Sequence, residues 1–261
     1  MTTDNKAAAE SPILLVDKAD GVATLRLNRP RVLNALNHEQ RDRLAAAFEH
    51  LGADPKVSAI VLAGAGRAFC AGQDQRESAT MDAEGAERRI TGYARLYDAI
   101  RRSEKPVIAR LHGYAAGAGL QLALLADLRI AARTLRLGMT ELKVGSAAIL
   151  GSALLRTVVG EAAMKRLVLM ADFIPADQAR ALGVVHEVVD DDRLEERVGE
   201  IATELAKNPP TATRLTKAWW RAMSEEAFAQ AVAEAHRAHA ANFAAGGVSA
   251  GARRFVAREK G

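Results

Sequence analysis

The chain has 261 residues, of which 49% are hydrophobic and 26% charged, and this excludes a disordered polymer because the apolar fraction suffices for a core. One cysteine excludes a small disulfide scaffold, and an aromatic content of 4% means the core is built from Leu, Val, Ile and Ala. The 36 cationic and 32 anionic residues leave a net charge of +4 on a mixed surface without the basic, aromatic-interleaved stripe of a nucleic-acid binder, so the small excess is compatible with an anionic small-molecule ligand.

The segment Met1–Ser11 is polar and Ala-rich, and it reads as a flexible tail, not a signal peptide. No window reaches the ~18 consecutive apolar residues of a membrane span. With Cys70 as the lone thiol, the expected location is the reducing cytoplasm.

Val22–Asn28 alternates, with Ala23, Leu25 and Leu27 on one face, and predicts a half-buried strand. Asn37 followed by Gln40 resembles a capping box, and Leu44, Phe48 and Leu51 recur at helical spacing, so a helix is expected over 38–51. Val57–Leu62 reads as a buried strand and Ala63–Asp74 as a loop. Ile90, Ala94, Tyr97 and Ile100 define a helix ending before Pro106, followed by a strand at Val107–Ala109. Gly113–Gly119 is a second small-residue loop feeding a buried helix at Leu120–Ala126, then a strand at Leu128–Ala131. Helices are expected at Glu161–Met170 and Ala176–Leu182, the latter stopped by Gly183, with a strand at Val184–Val189. Beyond Asp192 the pattern is helical, with Leu194, Val198, Ile201 and Leu205 on one face and breaks at Asn208-Pro209-Pro210 and Gly246-Gly247. The expected organisation is a tail over 1–11, a β/α core over 12–205 and a helical segment over 206–261 that buries its apolar face on the core or on another subunit.

Two junctions carry the small residues that let a backbone approach a ligand closely: Gly64–Asp74 and Gly113–Gly119. The second opens into a helix whose first-turn amides lack intrahelical partners, a ready site for a phosphate or a developing oxyanion. Taken singly, each loop also fits a tight turn under close packing. A dinucleotide fold fits less well, because Gly64-Ala65-Gly66 lacks the third glycine and is followed by polar Gln73-Asp74-Gln75-Arg76.

An ordered set of segments carries more: Leu25 to Leu36 (LRLNRPRVLNAL), Ala68 to Asp74 (AFCAGQD), Pro106 to Ala109 (PVIA), His112 to Gly119 (HGYAAGAG) and Ala126-Asp127. Gly138–Gly145 and Ala179–Val185 match more loosely. Together they resemble the crotonase family, the enoyl-CoA hydratases and isomerases, over nearly the whole chain. The resemblance implies an α/β fold, a crotonase-like spiral of ββα units with a C-terminal helical trimerisation segment, and a homotrimer or homohexamer. It implies an acyl-CoA substrate, so coenzyme A arrives as part of the substrate and no separate cofactor or metal is needed.

By the same resemblance, the backbone amides of Ala71 and Ala118 grip the thioester oxygen, and Ala118 stands where the family commonly has glycine. Removing a proton beside a thioester places negative charge on that oxygen, and preorganised donors stabilise it. Arg31, Ala71, Gly72, Gln73 and Asp74 match the coenzyme A-binding stretch, although Arg31 by itself would read as a solvated arginine. Cys70, beside the oxyanion position, reads as a packing residue because no partner base is evident. Family hydratases carry two glutamates. Here the first position is Gln121, which cannot exchange a proton, and the second is Glu141, with Leu137, Met139, Leu142 and Val144 around it in sequence. An apolar setting raises a carboxyl toward the working pH of a general base.

One carboxylate suffices for a 1,3-proton shift, and hydration is expected if Gln121 merely positions the water. Ser146–Gly151 departs from the family's usual turn, so the acyl group is expected to be unusual. Decarboxylation, thioester hydrolysis, retro-aldol cleavage and a non-catalytic acyl-CoA-binding subunit remain as alternatives. His236 and His239, at i and i+3, could in principle coordinate a metal, but read as a solvated face.

Overall fold

A computed structural model describes residues 12–258, so the tail expected over 1–11 lies outside the described residues. Strands β1 (Leu14–Ala19) and β2 (Val22–Leu27) form an antiparallel hairpin through Asp20-Gly21, both at positive φ (49° and 79°). Such a pair matches the right-handed twist of the flanking strands. The pattern at 14–19 was not read as a strand, because that edge strand is largely exposed and shows no clean alternation.

Helix α1 (His38–Ala53) starts where Asn37 accepts from the Gln40 amide at 3.0 Å. Then come β3 (Ala59–Gly64), α2 (Gln75–Ala79), α3 (Ala83–Arg101) and β4 (Val107–Leu111). A short strand β5 (Tyr114–Ala116) forms inside the segment expected to be a loop, before α4 (Ala118–Leu125). The chain continues through β6 (Leu128–Ala132), β7 (Arg136–Gly138) and α5 (Ile149–Met170). Helix α5 begins well before the expected Glu161 and is interrupted at Gly160 (φ 74°). Then β8 (Ile174–Pro175), α6 (Ala176–Ala181) and β9 (Glu187–Val189) follow. Gly183 (φ 77°) ends α6 as expected, but the strand covers only the last three residues of the expected Val184–Val189. The rest is helical: α7 (Leu194–Ala206), α8 (Pro210–Ala244) and α9 (Gly247–Arg258).

Strands are dealt to two sheets. β1-β2-β3-β4-β6-β9 form one, parallel from β2 onward, and β5-β7-β8 form the other. Successive β4-β5-α4 and β6-β7-α5 units therefore place one strand in each sheet and one helix outside, the ββα spiral. The large sheet is covered on both faces, which is why β3 is apolar throughout. One face joins the main core with α1, α3 and α4. On the other, Val61, Ile108 and Ile130 pack with Leu194, Val198 and Ala202 of α7.

The long helix α8 packs on α3 and α5, and buried Lys217 fastens it to the core by donating to Asp127 and to the Lys105 carbonyl. Helix α9 packs on α2 and on the 3₁₀ turn Glu141–Val144, closing one side of a cavity of about 630 Å³. Among the described residues no helix is long and apolar enough to cross a membrane.

Candidate active site

The two small-residue loops meet. Phe69 N donates to the His112 carbonyl (2.9 Å), Cys70 N to Tyr114 O (3.0 Å) and Ala116 N to Cys70 O (3.0 Å). This ladder places the start of α4 against the Cys70 backbone. Only glycine fits at 119, where a Cβ would stand 2.2 Å from the Cys70 carbonyl oxygen. Gly117, at φ 50° and ψ −120°, makes the turn from β5 into α4 in a conformation closed to L side chains.

Glu141 opens the 3₁₀ turn beside that junction, and a Cβ on Gly117 would lie 3.5 Å from its carboxyl carbon. Gln121, one turn into α4, donates from Nε2 to Glu141 Oε1 at 2.5 Å. Its carbonyl accepts from Tyr97 Oη on α3 at 2.8 Å. Glu141 Oε2 is buried and has no hydrogen-bond partner among the described residues. Burial pushes the Glu141 carboxyl up to about 7, opposed by its own backbone N–H and by the Gln121 amide. The expected upward shift is present, with one correction to its cause. Leu137 and Met139 are fully buried, but Leu142 is 42% exposed and turns away. Burial also raises the Tyr97 hydroxyl well above its ordinary value, so it stays a donor to Gln121.

Ala118 is the first residue of α4 and lines the cavity, and its amide has no hydrogen-bond acceptor among the described residues. Ala71 lines the same cavity, but its amide donates to the Leu33 carbonyl at 2.9 Å. Of the two amides expected to grip the thioester oxygen, the one at Ala118 is open and the one at Ala71 is engaged by the Leu33 carbonyl. Leu33 (φ 51°) and Asn34 (φ 58°) form a left-handed pair that presents this carbonyl. Buried Asn34 holds the pair, accepting from Arg29 N (2.9 Å) and donating to the carbonyls of Ala65 (2.9 Å) and Ala68 (2.8 Å).

Of the residues expected to hold coenzyme A, Arg31, Ala71, Gln73 and Asp74 line the cavity, while Gly72 is buried behind it against Ala116. The Gln73 side chain turns inward, accepting from Tyr93 Oη (2.8 Å) and Arg41 Nη1 (3.0 Å). Asp74 caps α2 and pairs with Arg29 at 2.9 Å, so its carboxylate is neutralised before any ligand arrives. Exposed Arg31, Arg67, Lys143 and Arg254 join on the cavity rim, drawn from four separate parts of the sequence. Sequence reading missed three of these, since only folding gathers them. It also missed Tyr97, whose place on the buried face of α3 was visible but whose hydroxyl partner was not.

Cys70 is buried, burial pushes its thiol up to about 12, and it bonds the Asn34 carbonyl, consistent with a packing residue. The histidine expectation needs correction. His236 meets Glu87 at 2.6 Å, but His239 is buried against Arg89 on the cavity wall, so that face is not solvated. Among the described residues no group of three or more His, Cys, Asp or Glu side chains could hold a metal.

A family model described as enoyl-CoA hydratase/isomerase matches residues 17–261. A putative enoyl-CoA hydratase of Thermus thermophilus is 39% identical over 199 residues, 75% of this chain and 79% of that one. A 1,2-epoxyphenylacetyl-CoA isomerase of Escherichia coli K12 is 37% identical over 202 residues, 76% of this chain and 77% of that one. The crystal structure of an enoyl-CoA hydratase from Mycobacterium avium subsp. paratuberculosis superposes with a TM-score of 0.85 at 28% identity, covering 94% of this chain and 99% of that chain.

Proposed function

We propose a reaction from a plain premise: the chain belongs to the enoyl-CoA hydratase/isomerase family and is an enzyme of acyl-CoA thioesters. The reaction is double-bond isomerisation of a 3-enoyl-CoA to the conjugated 2-enoyl-CoA. Glu141 is the catalytic acid and base. Its carboxylate takes a proton from C2, and the C–H electron pair moves toward the carbonyl to give a dienolate. The same carboxyl then returns the proton to C4 as the C2–C3 double bond forms.

The observation that carries this reading is the Tyr97–Gln121–Glu141 chain. Gln121 spends its carbonyl on Tyr97 and an N–H on Glu141, so no second acid stands ready to hold and split a water. The Ala118 amide, at the positive end of α4, is the open donor for the dienolate oxygen. Ala71 becomes a second donor when the thioester oxygen replaces the Leu33 carbonyl. The cationic rim of Arg31, Arg67, Lys143 and Arg254 suits the phosphates of coenzyme A, with Ala71, Gln73 and Asp74 forming the wall beneath and Gly72 packed behind it.

Hydration of a 2-enoyl-CoA is the second reading, favoured by the names of several relatives, with Gln121 positioning the water. Ultraviolet absorbance of the conjugated thioester separates the two. A gain from 3-enoyl-CoA supports isomerisation, a loss from 2-enoyl-CoA supports hydration, and silence on both overturns the pair. A homotrimer or homohexamer in the cytoplasm belongs to the same reading. Helix α8 leaves Leu215, Trp219, Trp220 and Met223 more than half exposed, which supports a protein partner on that face, and sedimentation of the intact protein tests it.

A further inference from the structure

Arg89, Tyr93 and Tyr97 follow one another at single-turn intervals on α3 and all line the cavity. Tyr97 ends at Gln121 beside Glu141. Eight residues of helix rise carry Arg89 about 12 Å along the wall from Tyr97. The column thus runs from the acid, past an aromatic stretch, to a cation.

That cation lacks a counter-ion. Arg89 is 4% exposed, and its hydrogen bond among the described residues is from Nη2 to His239 Nδ1 at 3.1 Å. It makes no ion pair among the described residues. The carboxylate whose field reaches it is Glu77, and Glu77 is already committed. Glu77 Oε2 accepts from Arg41 Nη1 (3.0 Å) and Gln73 Nε2 (2.6 Å), and Oε1 accepts from the His38 amide (2.7 Å). Two buried guanidiniums, Arg41 and Arg89, therefore share one carboxylate that bonds only the first.

An arginine cannot escape burial by losing its proton, and an unpaired buried charge is costly. His239 does not relieve it. Burial, with Arg89 adjacent, lowers the imidazole to about 4, so it is neutral and offers only a lone pair. That bond fixes the guanidinium and leaves Nε and Nη1 without partners among the described residues, on a side chain at the cavity wall. Nη2 keeps a second N–H, and with its neighbour, Nε or Nη1, it forms a fork that matches the two oxygens of a carboxylate. The coenzyme A phosphates have the exposed rim cations instead.

We propose that Arg89, oriented by His239, binds a carboxylate at the far end of the acyl chain, so the enzyme acts on CoA thioesters of dicarboxylic acids. This rests on the acyl-CoA reading above and adds the substrate class. Ile90 and Tyr93 flank the intervening hydrocarbon.

Calorimetric titration with saturated, unreactive esters tests it: adipyl-CoA and suberyl-CoA against hexanoyl-CoA and octanoyl-CoA. Wild type is expected to bind the ω-carboxy ester about 10²-fold more tightly than its uncharged counterpart. Arg89→Met is expected to abolish that preference while leaving the uncharged ester within about threefold, and Arg89→Lys to restore part of it. Arg89→Met is also expected to raise the ligand-free Tm, whereas loss of a merely structural arginine lowers it. Equal wild-type affinities overturn the proposal while leaving the acyl-CoA reading intact. Equal weakening of both esters by Arg89→Met also overturns it and assigns Arg89 to a coenzyme A phosphate. Failure of every ester to bind overturns both.

Discussion

Gln121 donates to Glu141 Oε1 at 2.5 Å while its own carbonyl is held by Tyr97 Oη at 2.8 Å. The amide is fixed in one orientation, with nitrogen toward the acid, and it leaves Glu141 as the ionisable group of the pair. On the proposed reading, one carboxyl group both takes and returns the proton.

Glu141→Gln retains the shape of the site and removes the base. Turnover is expected to fall by at least ~10³-fold, with acyl-CoA affinity within a few-fold of wild type. Stopped assays alongside calorimetry check both halves, and activity close to wild type would refute the assignment.

Gln121→Glu places a second carboxyl at 2.5 Å from the first. Two such groups cannot both ionise readily, so one pKa rises further. Hydration of 2-enoyl-CoA is expected to increase over wild type, with a pH profile that becomes bell-shaped. A decrease in hydration would mean the amide has a positive task of its own.

The Glu141 carboxyl, raised from 4.5 to about 7, sets two pH dependences. As a base it must be ionised, so kcat/KM is expected to climb with pH through about 7 and then level. For stability the sign is opposite. The folded state holds this proton more tightly than the unfolded one, so the contribution is complete below 4.5 and is lost as pH rises through 7. Glu141→Gln is therefore expected to gain Tm relative to wild type at alkaline pH and to lose that advantage in acid, as thermal scans across pH will read.

Tyr97→Phe strands the Gln121 carbonyl in a buried setting. A loss of about 1–3 kcal/mol in unfolding free energy is expected. The freed amide can rotate, so kcat is expected to fall more than KM rises. Denaturant titration and steady-state kinetics on the same preparation measure these.

Ala118→Pro deletes one N–H at the first position of α4, where a helix tolerates proline. With circular dichroism unchanged, kcat is expected to drop about 10²–10³-fold. An unchanged kcat would remove Ala118 from the oxyanion site.

Local chemistry was legible wherever neighbours in sequence decide the outcome. The Asn37 cap, the alternating β2, the Gly183 stop and the buried β3 follow from the residues themselves. The β1–β2 hairpin has a local signal only in Asp20-Gly21, the dipeptide its turn requires, because exposed β1 lacks an alternating face. The short β7 and β8 had no signal, since strands of three and two residues exist only because each pairs with another.

The sequence by itself determined the alternation of the large-sheet strands with helices, the two small-residue loops and the presence of one glutamate where a pair was possible. Those depend on short-range periodicity and on residue type, which a linear text records. Only the tertiary structure decided that the Ala71 amide is engaged by Leu33, that Tyr97 locks Gln121, that Leu142 turns outward, and that Arg89 lies buried with a neutral His239 and no counter-ion. Each of these joins residues far apart in the chain, and the burial that gives them their energies does not exist until the sheets and helices have closed around them.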